Sequence, residues 1–217
     1  MGLPSPLCEL LVRRGFKPDE STRRFLRPSF PDLHNPLDLA GLSTAVERIE
    51  CAIRDGETVL VHGDYDADGM TATALLTLGL RHIGLRTAPF VPERSGGGYD
   101  LGPSGIEEAR AQGATLIVTA DCGIKASGAV EDAASLGIDV IITDHHQPGV
   151  ILPPAVAVDN PNRETQDYPF RDLAGVGVAF KMIQQLFAIK GVREDVTDIV
   201  LNCLLYTSPS PRDGLLS

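Results

Sequence analysis

Thr58-Val59-Leu60-Val61-His62-Gly63-Asp64-Tyr65-Asp66-Ala67-Asp68-Gly69-Met70-Thr71 is the stretch of this 217-residue chain from which its fold is read. A short apolar run rich in β-branched residues comes first, an acidic turn follows, and from 70 to 82 apolar residues recur at helical spacing. Strand, turn and helix in that order form the first half of a βαβ unit. The same texture continues downstream. Strands are expected over 86–91, 115–119, 139–143 and 155–158, with helices over 104–112, 126–136 and 175–190. Continuous apolar strands alternating with helices signal a mostly parallel sheet flanked by helices, with right-handed crossovers. The fold class is α/β, with an N-terminal helical segment.

That segment, residues 1–57, is polar and helical. Apolar residues fall at helical spacing over 6–14, Pro18-Asp19-Glu20 opens a second helix, and 39–53 places Leu42, Val46, Ile49 and Ile53 on one face. No apolar run is long enough for a membrane helix, and the start lacks the basic and apolar regions of a signal peptide. Four scattered cysteines (Cys8, Cys51, Cys122, Cys203) without a CxxC pair argue against a zinc ribbon or a disulfide framework, and fit a reducing cytoplasm. The 29 acidic against 19 basic residues leave a net charge of −10, which argues against a protein that coats nucleic acid through a basic surface. It does not exclude an enzyme that meets phosphate through metal ions, because the ligands of those ions are themselves counted as negative charge.

In parallel sheets, ligands bind beyond the carboxyl ends of the strands. Three strand ends here carry acidic or imidazole side chains: His62 through Asp68 after the first, Asp121-Cys122-Gly123 after the third, and Asp144-His145-His146 after the fourth. One aspartate at a strand end serves equally well as a turn or helix cap. Three ends in phase, with two adjacent histidines, point to a site. Carboxylate and imidazole donors without thiolate suit Mn²⁺ or Mg²⁺, and their number suffices for two divalent cations that activate water against a phosphate ester. Asp64, Asp66 and Asp68 alternate, so in an extended segment all three face one side. As an acidic solvated turn they would do no more than repel one another.

The strings His62-x-x-x-Asp66-x-Asp68-Gly69, Asp121-Cys122-Gly123 and Asp144-His145-His146 resemble the first three motifs of the DHH phosphoesterase superfamily. Leu11-Val12-x-Arg14-Gly15, Phe25-Leu26-x-Pro28, Gly63 through Gly69 and Leu173 through Lys181 resemble the RecJ-type single-stranded-DNA-specific exonucleases. The resemblance implies a DHH domain over 58–202 and a metal-dependent 5′→3′ exonuclease of recombination and repair acting on single-stranded DNA. Single-strand-binding protein and a helicase are its implied partners. Carried over by motif, His62 and Asp66 hold one cation, Asp68 and His145 the other, and Asp121 bridges them. His146 faces the scissile phosphate, and Asp64 is an auxiliary ligand.

Arg94 and Tyr99 lie in a Gly-rich loop similar to one of the family, an Arg for phosphate and a Tyr for base stacking, or else a plain surface loop. Asp100 stands where the family usually has Gly. Gly175 and Gly177, opening a helix, would present amides to a phosphate or permit close helix packing. Other DHH chemistries, on short oligonucleotides or cyclic dinucleotides, and a non-catalytic nucleic-acid- or partner-binding role remain as alternatives. Beyond residue 202 the resemblance stops: 203–213 resembles the translated sequence of a transposon-based sequencing adapter. The segment 203–217 is therefore expected to be a foreign tail on an incomplete DHH domain, with no Asp near Thr207 where the fourth motif would fall.

Overall fold

The computed structural model describes residues 2–27, 29–93, 100–164 and 168–192. By contacts the chain divides between Asn35 and Pro36. The N-terminal unit holds α1 (Ser5–Arg13) and α2 (Glu20–Leu26). Asp19 caps α2 by accepting the Thr22 N–H at 3.1 Å, and the Phe16 and Phe25 rings stack with centroids 4.5 Å apart.

The second unit begins with α3 (Leu42–Asp55) and continues as β1 (Thr58–Gly63), α4 (Ala67–His82), β2 (Arg86–Phe90), α5 (Pro103–Ala111), β3 (Leu116–Ala120), α6 (Ser127–Ser135), β4 (Asp139–Thr143), β5 (Ala157–Asp159) and α7 (Gly175–Lys190). Helix α3, read above as part of an N-terminal helical segment ending at 57, lies in this unit and packs on β5 and α7, with Leu42, Val46 and Ile49 buried. The expected strands and helices of the 58–190 region are all present. The tail beyond residue 202 lies outside the described residues.

The five strands are all parallel, in the order β2-β1-β3-β4-β5. The period of two within each strand sends alternate residues to opposite faces. Leu60, Ile117, Val140, Ile142 and Val158 pack with Ile106, Ala109 and Val130 of α5 and α6. Helices α3, α4 and α7 cover the other face. With both faces covered, β1, β3 and β4 are almost wholly buried, which explains their unbroken apolar reading. Strand order reverses between β1 and β3, and the crevice beyond the carboxyl ends of those two strands is where such a sheet binds ligands.

The opposite edge of the sheet is tied by one arginine. Arg48 of α3 donates from Nε to Asp139 at 2.6 Å and from its two terminal nitrogens to Glu57 at 3.2 and 2.8 Å, while Thr115 Oγ1 also donates to Glu57. The Arg48 side chain is 15 % exposed, so these charge-assisted bonds are shielded from full solvation. Arg48→Ala is expected to lower stability by about 2 kcal/mol, read as a shift of the urea unfolding midpoint with unchanged slope. No change in midpoint would show that water replaces the arginine at no cost.

Candidate metal centre

The acidic stretch after β1 does not stay extended. Asp66 caps α4 by accepting the Gly69 N–H at 2.9 Å, so α4 starts at Ala67, three residues before the expected position. This corrects the reading in which Asp64, Asp66 and Asp68 share one extended face: the chain is extended at Asp66 and helical from Ala67, so Asp68 does not continue the alternation. Asp64 and Asp66 approach Asp121, and donor atoms of these three lie within 4.8 Å of one another. Asp68 instead crosses to α7, accepting the Gly175 and Val176 N–H groups, each at 2.8 Å.

Asp121 is the centre of the arrangement. It is 1 % exposed, sits at φ +64° beyond β3, and its Oδ1 has no hydrogen-bond partner. A non-glycine residue in the left-handed region is uncommon, though aspartate tolerates it better than most. His145 Nε2 stands 3.2 Å from that oxygen and 3.8 Å from Asp68, and His146 Nδ1 stands 3.9 Å from Asp121. Asp121, His145 and His146 form a second group with donor atoms within 4.8 Å. Burial pushes the Asp121 carboxyl up to about 6, against the opposing pull of His145. His145 is raised chiefly by Asp121. Burial, with Asp66 nearby, also raises Asp64.

Asp144, the first residue of the Asp-His-His motif, was not among the expected site residues, yet it braces the other two. Its Oδ1 accepts from the main-chain N–H of His145 at 2.7 Å and of His146 at 3.0 Å, and lies 2.7 Å from His146 Nδ1. Its Oδ2 accepts the Ile124 N–H at 2.9 Å, which ties the β3 turn to the β4 turn. Its carboxyl lies below the ordinary range: burial would raise it, and the bonds from His146 and Ile124 outweigh that. His146 in return is raised to about 9, first by Asp144. Asp100 was also missed as a contributor. At φ +81° it occupies a backbone conformation that suits glycine, which accounts for the family's preference there, and its carboxylate accepts the Leu101 and Gly123 N–H groups.

Three sequence expectations meet a different geometry. His62 is fully buried among Phe90, Cys122 and the Gly105 backbone, and joins neither cluster; Asp64 stands beside Asp66 in its place. Its Nε2 has no hydrogen-bond partner, and burial lowers its pKa to about 4. The Gly175 amide expected to face phosphate is taken by Asp68, and that of Gly177 by the Ala174 carbonyl at 2.8 Å. Gly175 serves by close packing: a Cβ there would stand 2.1 Å from Asp121 Oδ1. Arg94 and Tyr99 lie outside the described residues.

Strand ends of a parallel sheet, an Asp-His-His turn and a buried aspartate common to two donor groups make up the site. The model of the DHH family, N-terminal domain, matches residues 58–207. The chain belongs to the DHH family. It is 43 % identical over 185 residues to the single-stranded-DNA-specific exonuclease RecJ of Escherichia coli (strain K12), a match covering 85 % of this chain and 31 % of that protein. It is 40 % identical over 180 residues to RecJ of Bacillus subtilis (strain 168), covering 83 % and 23 %. Among solved structures it resembles exonuclease RecJ bound to manganese, at 37 % identity and a TM-score of 0.67, covering 74 % of this chain and 41 % of that one. The chain thus spans less than a third of the length of these two curated relatives. Among the described residues of this DHH-family chain, no helix is long and apolar enough to cross a membrane.

Two outcomes follow from the geometry. Gly175→Ala must displace either Asp121 or α7, so it is expected to lower stability by about 1–3 kcal/mol and weaken Mn²⁺ binding at least tenfold, read by thermal unfolding and calorimetric titration. Unchanged binding would show that Asp121 is free to turn away. For the Asp144–His146 pair in chelator-treated protein, the raised His146 contributes stability in full below its unfolded value of 6.5, lost as pH rises through about 9. The depressed Asp144 contributes above 3.8, lost as pH falls. Melting temperature should therefore decline between pH 6.5 and 9, and Asp144→Asn should flatten that decline; an equal slope in both proteins would exclude the pair as its source.

Proposed function

We propose that this chain carries the catalytic face of a metal-dependent 5′→3′ exonuclease that hydrolyses phosphodiester bonds of single-stranded DNA. The observation that carries the reading is the buried Asp121 carboxylate, which belongs both to a group with Asp64 and Asp66 and to a group with His145 and His146, the donor atoms of each group lying within 4.8 Å of one another. The similarity to RecJ proteins along most of the chain supports the substrate class.

The donors fit a pair of hard divalent cations, Mn²⁺ or Mg²⁺. They are oxygen and imidazole nitrogen without thiolate, and one carboxylate is common to both groups. Asp64, Asp66 and Asp121 would hold one cation; Asp121 and His145, with Asp68 at 3.8 Å from His145, would hold the other. His62 keeps the supporting position described above. Bound cations supply the positive charge that lets a phosphodiester approach an acidic site and the acidity that activates water.

The protein's own groups do the rest. Asp121 stays in place because Gly175 packs against it, and it needs no reorganisation during the reaction. His146, held by Asp144 and 39 % exposed, presents the face of the site open to a substrate, where an imidazolium stabilises charge developing on phosphoryl oxygens. Burial of Asp64 and Asp121 lowers the local dielectric and strengthens each of these interactions. By the resemblance of their loop to one of the family, Arg94 would pair with phosphate and Tyr99 would stack a base. A cytoplasmic setting, with single-strand-binding protein and a helicase supplying the strand, belongs to the same reading.

The experiment is Mn²⁺-dependent release of nucleotides from 5′-end-labelled single-stranded DNA by the purified chain. Release that stops on chelation is expected, with Asp121→Asn reducing it roughly 10²–10³-fold at unchanged circular dichroism. A chain that binds Mn²⁺ and single-stranded DNA without releasing any nucleotide would overturn the reading in favour of a binding module.

A further inference from the structure

The dipeptide His145-His146 lies beyond β4, outside the strand ladder, yet each of its four main-chain polar groups is taken by a side chain. Both N–H groups donate to Asp144 Oδ1. The His145 carbonyl accepts from Asn162 Nδ2 at 2.6 Å, and the His146 carbonyl accepts from Asn160 Nδ2 at 2.9 Å. Asn160 Oδ1 in turn accepts the Asn162 N–H at 2.7 Å across Pro161. Asn160 is fully buried and Asn162 half-buried. The orientation of the Asn160 amide follows from chemistry alone, since only its nitrogen can meet a carbonyl and only its oxygen can meet an N–H.

We propose that Asn160 and Asn162 are positioning residues for the two imidazoles of the metal centre, a carboxamide clamp opposed to Asp144. The inference rests on the reading of His145 and His146 as site residues given above. A histidine on an unpaired turn has two free peptide planes, and rotation of either swings its ring nitrogen off target. Here the Asp144 carboxylate fixes the amide side of both residues and the two asparagines fix the carbonyl side. The tolerance for productive ligand geometry is about 0.5 Å, which unpinned loop backbone does not hold. The clamp also has a chemical requirement: a carboxylate in place of Asn162 would set oxygen against the His145 carbonyl oxygen and repel it. Pro161 restricts the turn between the two asparagines, so neither amide needs to search for its carbonyl.

The test uses Mn²⁺ alone as the probe, on the full chain at 10 °C. Affinity is read from the loss of the free-ion electron paramagnetic resonance signal, and imidazole ligation from ¹⁴N modulation of the spin echo. Wild type is expected to bind with clear ¹⁴N modulation. Asn162→Asp should bind about tenfold or more weakly with shallower modulation, Asn162→Ala should fall between the two, and both should melt within about 3 °C of wild type. Folded variants with wild-type affinity and modulation would overturn the clamp. So would variants that are unfolded at 10 °C by circular dichroism, because the asparagines would then serve the fold as a whole. A wild-type chain that binds no Mn²⁺ brings down the metal centre itself, and with it the clamp, a result distinct from equal binding by wild type and variant.

Discussion

The Asp121 carboxylate is held 1 % exposed at the end of β3, on a left-handed backbone, with a second buried aspartate close by and one oxygen lacking any hydrogen bond. Burying ionisable oxygen in this way is unfavourable unless the surroundings are organised to receive positive charge. Much of the chemistry at this edge of the sheet follows from that condition. Two imidazoles are brought to one side of the carboxylate. The turn after β1 brings two further aspartates to the other. Helix α7 comes so near that only a glycine fits at its first residue.

The order β2-β1-β3-β4-β5 explains why those groups converge. The chain reverses direction across the sheet between β1 and β3, and their following turns separate there to leave a crevice. Asp64 and Asp66 come from one wall, and Asp121 from the other. Beside it, Asp144 reaches from the β4 turn to the Ile124 amide, so two neighbouring loops form one hydrogen-bonded unit. The site stands on loops, but in each of them side chains pin main-chain amides.

Much of this was legible in the residues. Unbroken β-branched runs revealed buried strands, because a strand covered on both faces cannot alternate. The acidic and histidine residues after β1, β3 and β4 marked the correct edge. The individual directions were less legible. Alternation suggested a shared face for Asp64, Asp66 and Asp68, whereas capping by Asp66 bent the chain into a helix one turn early, a competition settled by a single local hydrogen bond. Asp68 bonds amides 107 and 108 positions away, and no local pattern announces such a partner. His62 follows the strand into the interior towards α5, since the period of two decides its side before any chemical preference acts. Asp144 was visible as the first residue of a motif but not as its brace: its Oδ1 accepts from the His145 and His146 amides and its Oδ2 from the distant Ile124 amide.

The contact between Asp68 and the first turn of α7 has a bearing on the order of events during synthesis. Until α7 has been made and has docked, Asp68 lacks its amides and Asp121 lacks the Gly175 backbone that wedges it in place. A chain that has paired β1 through β5 without α7 leaves one face of the sheet partly uncovered and its acidic edge loose and self-repelling. Helix α7 acts as a latch: its docking gives Asp68 its amides and wedges Asp121, so the acidic edge is organised only once this helix is in place.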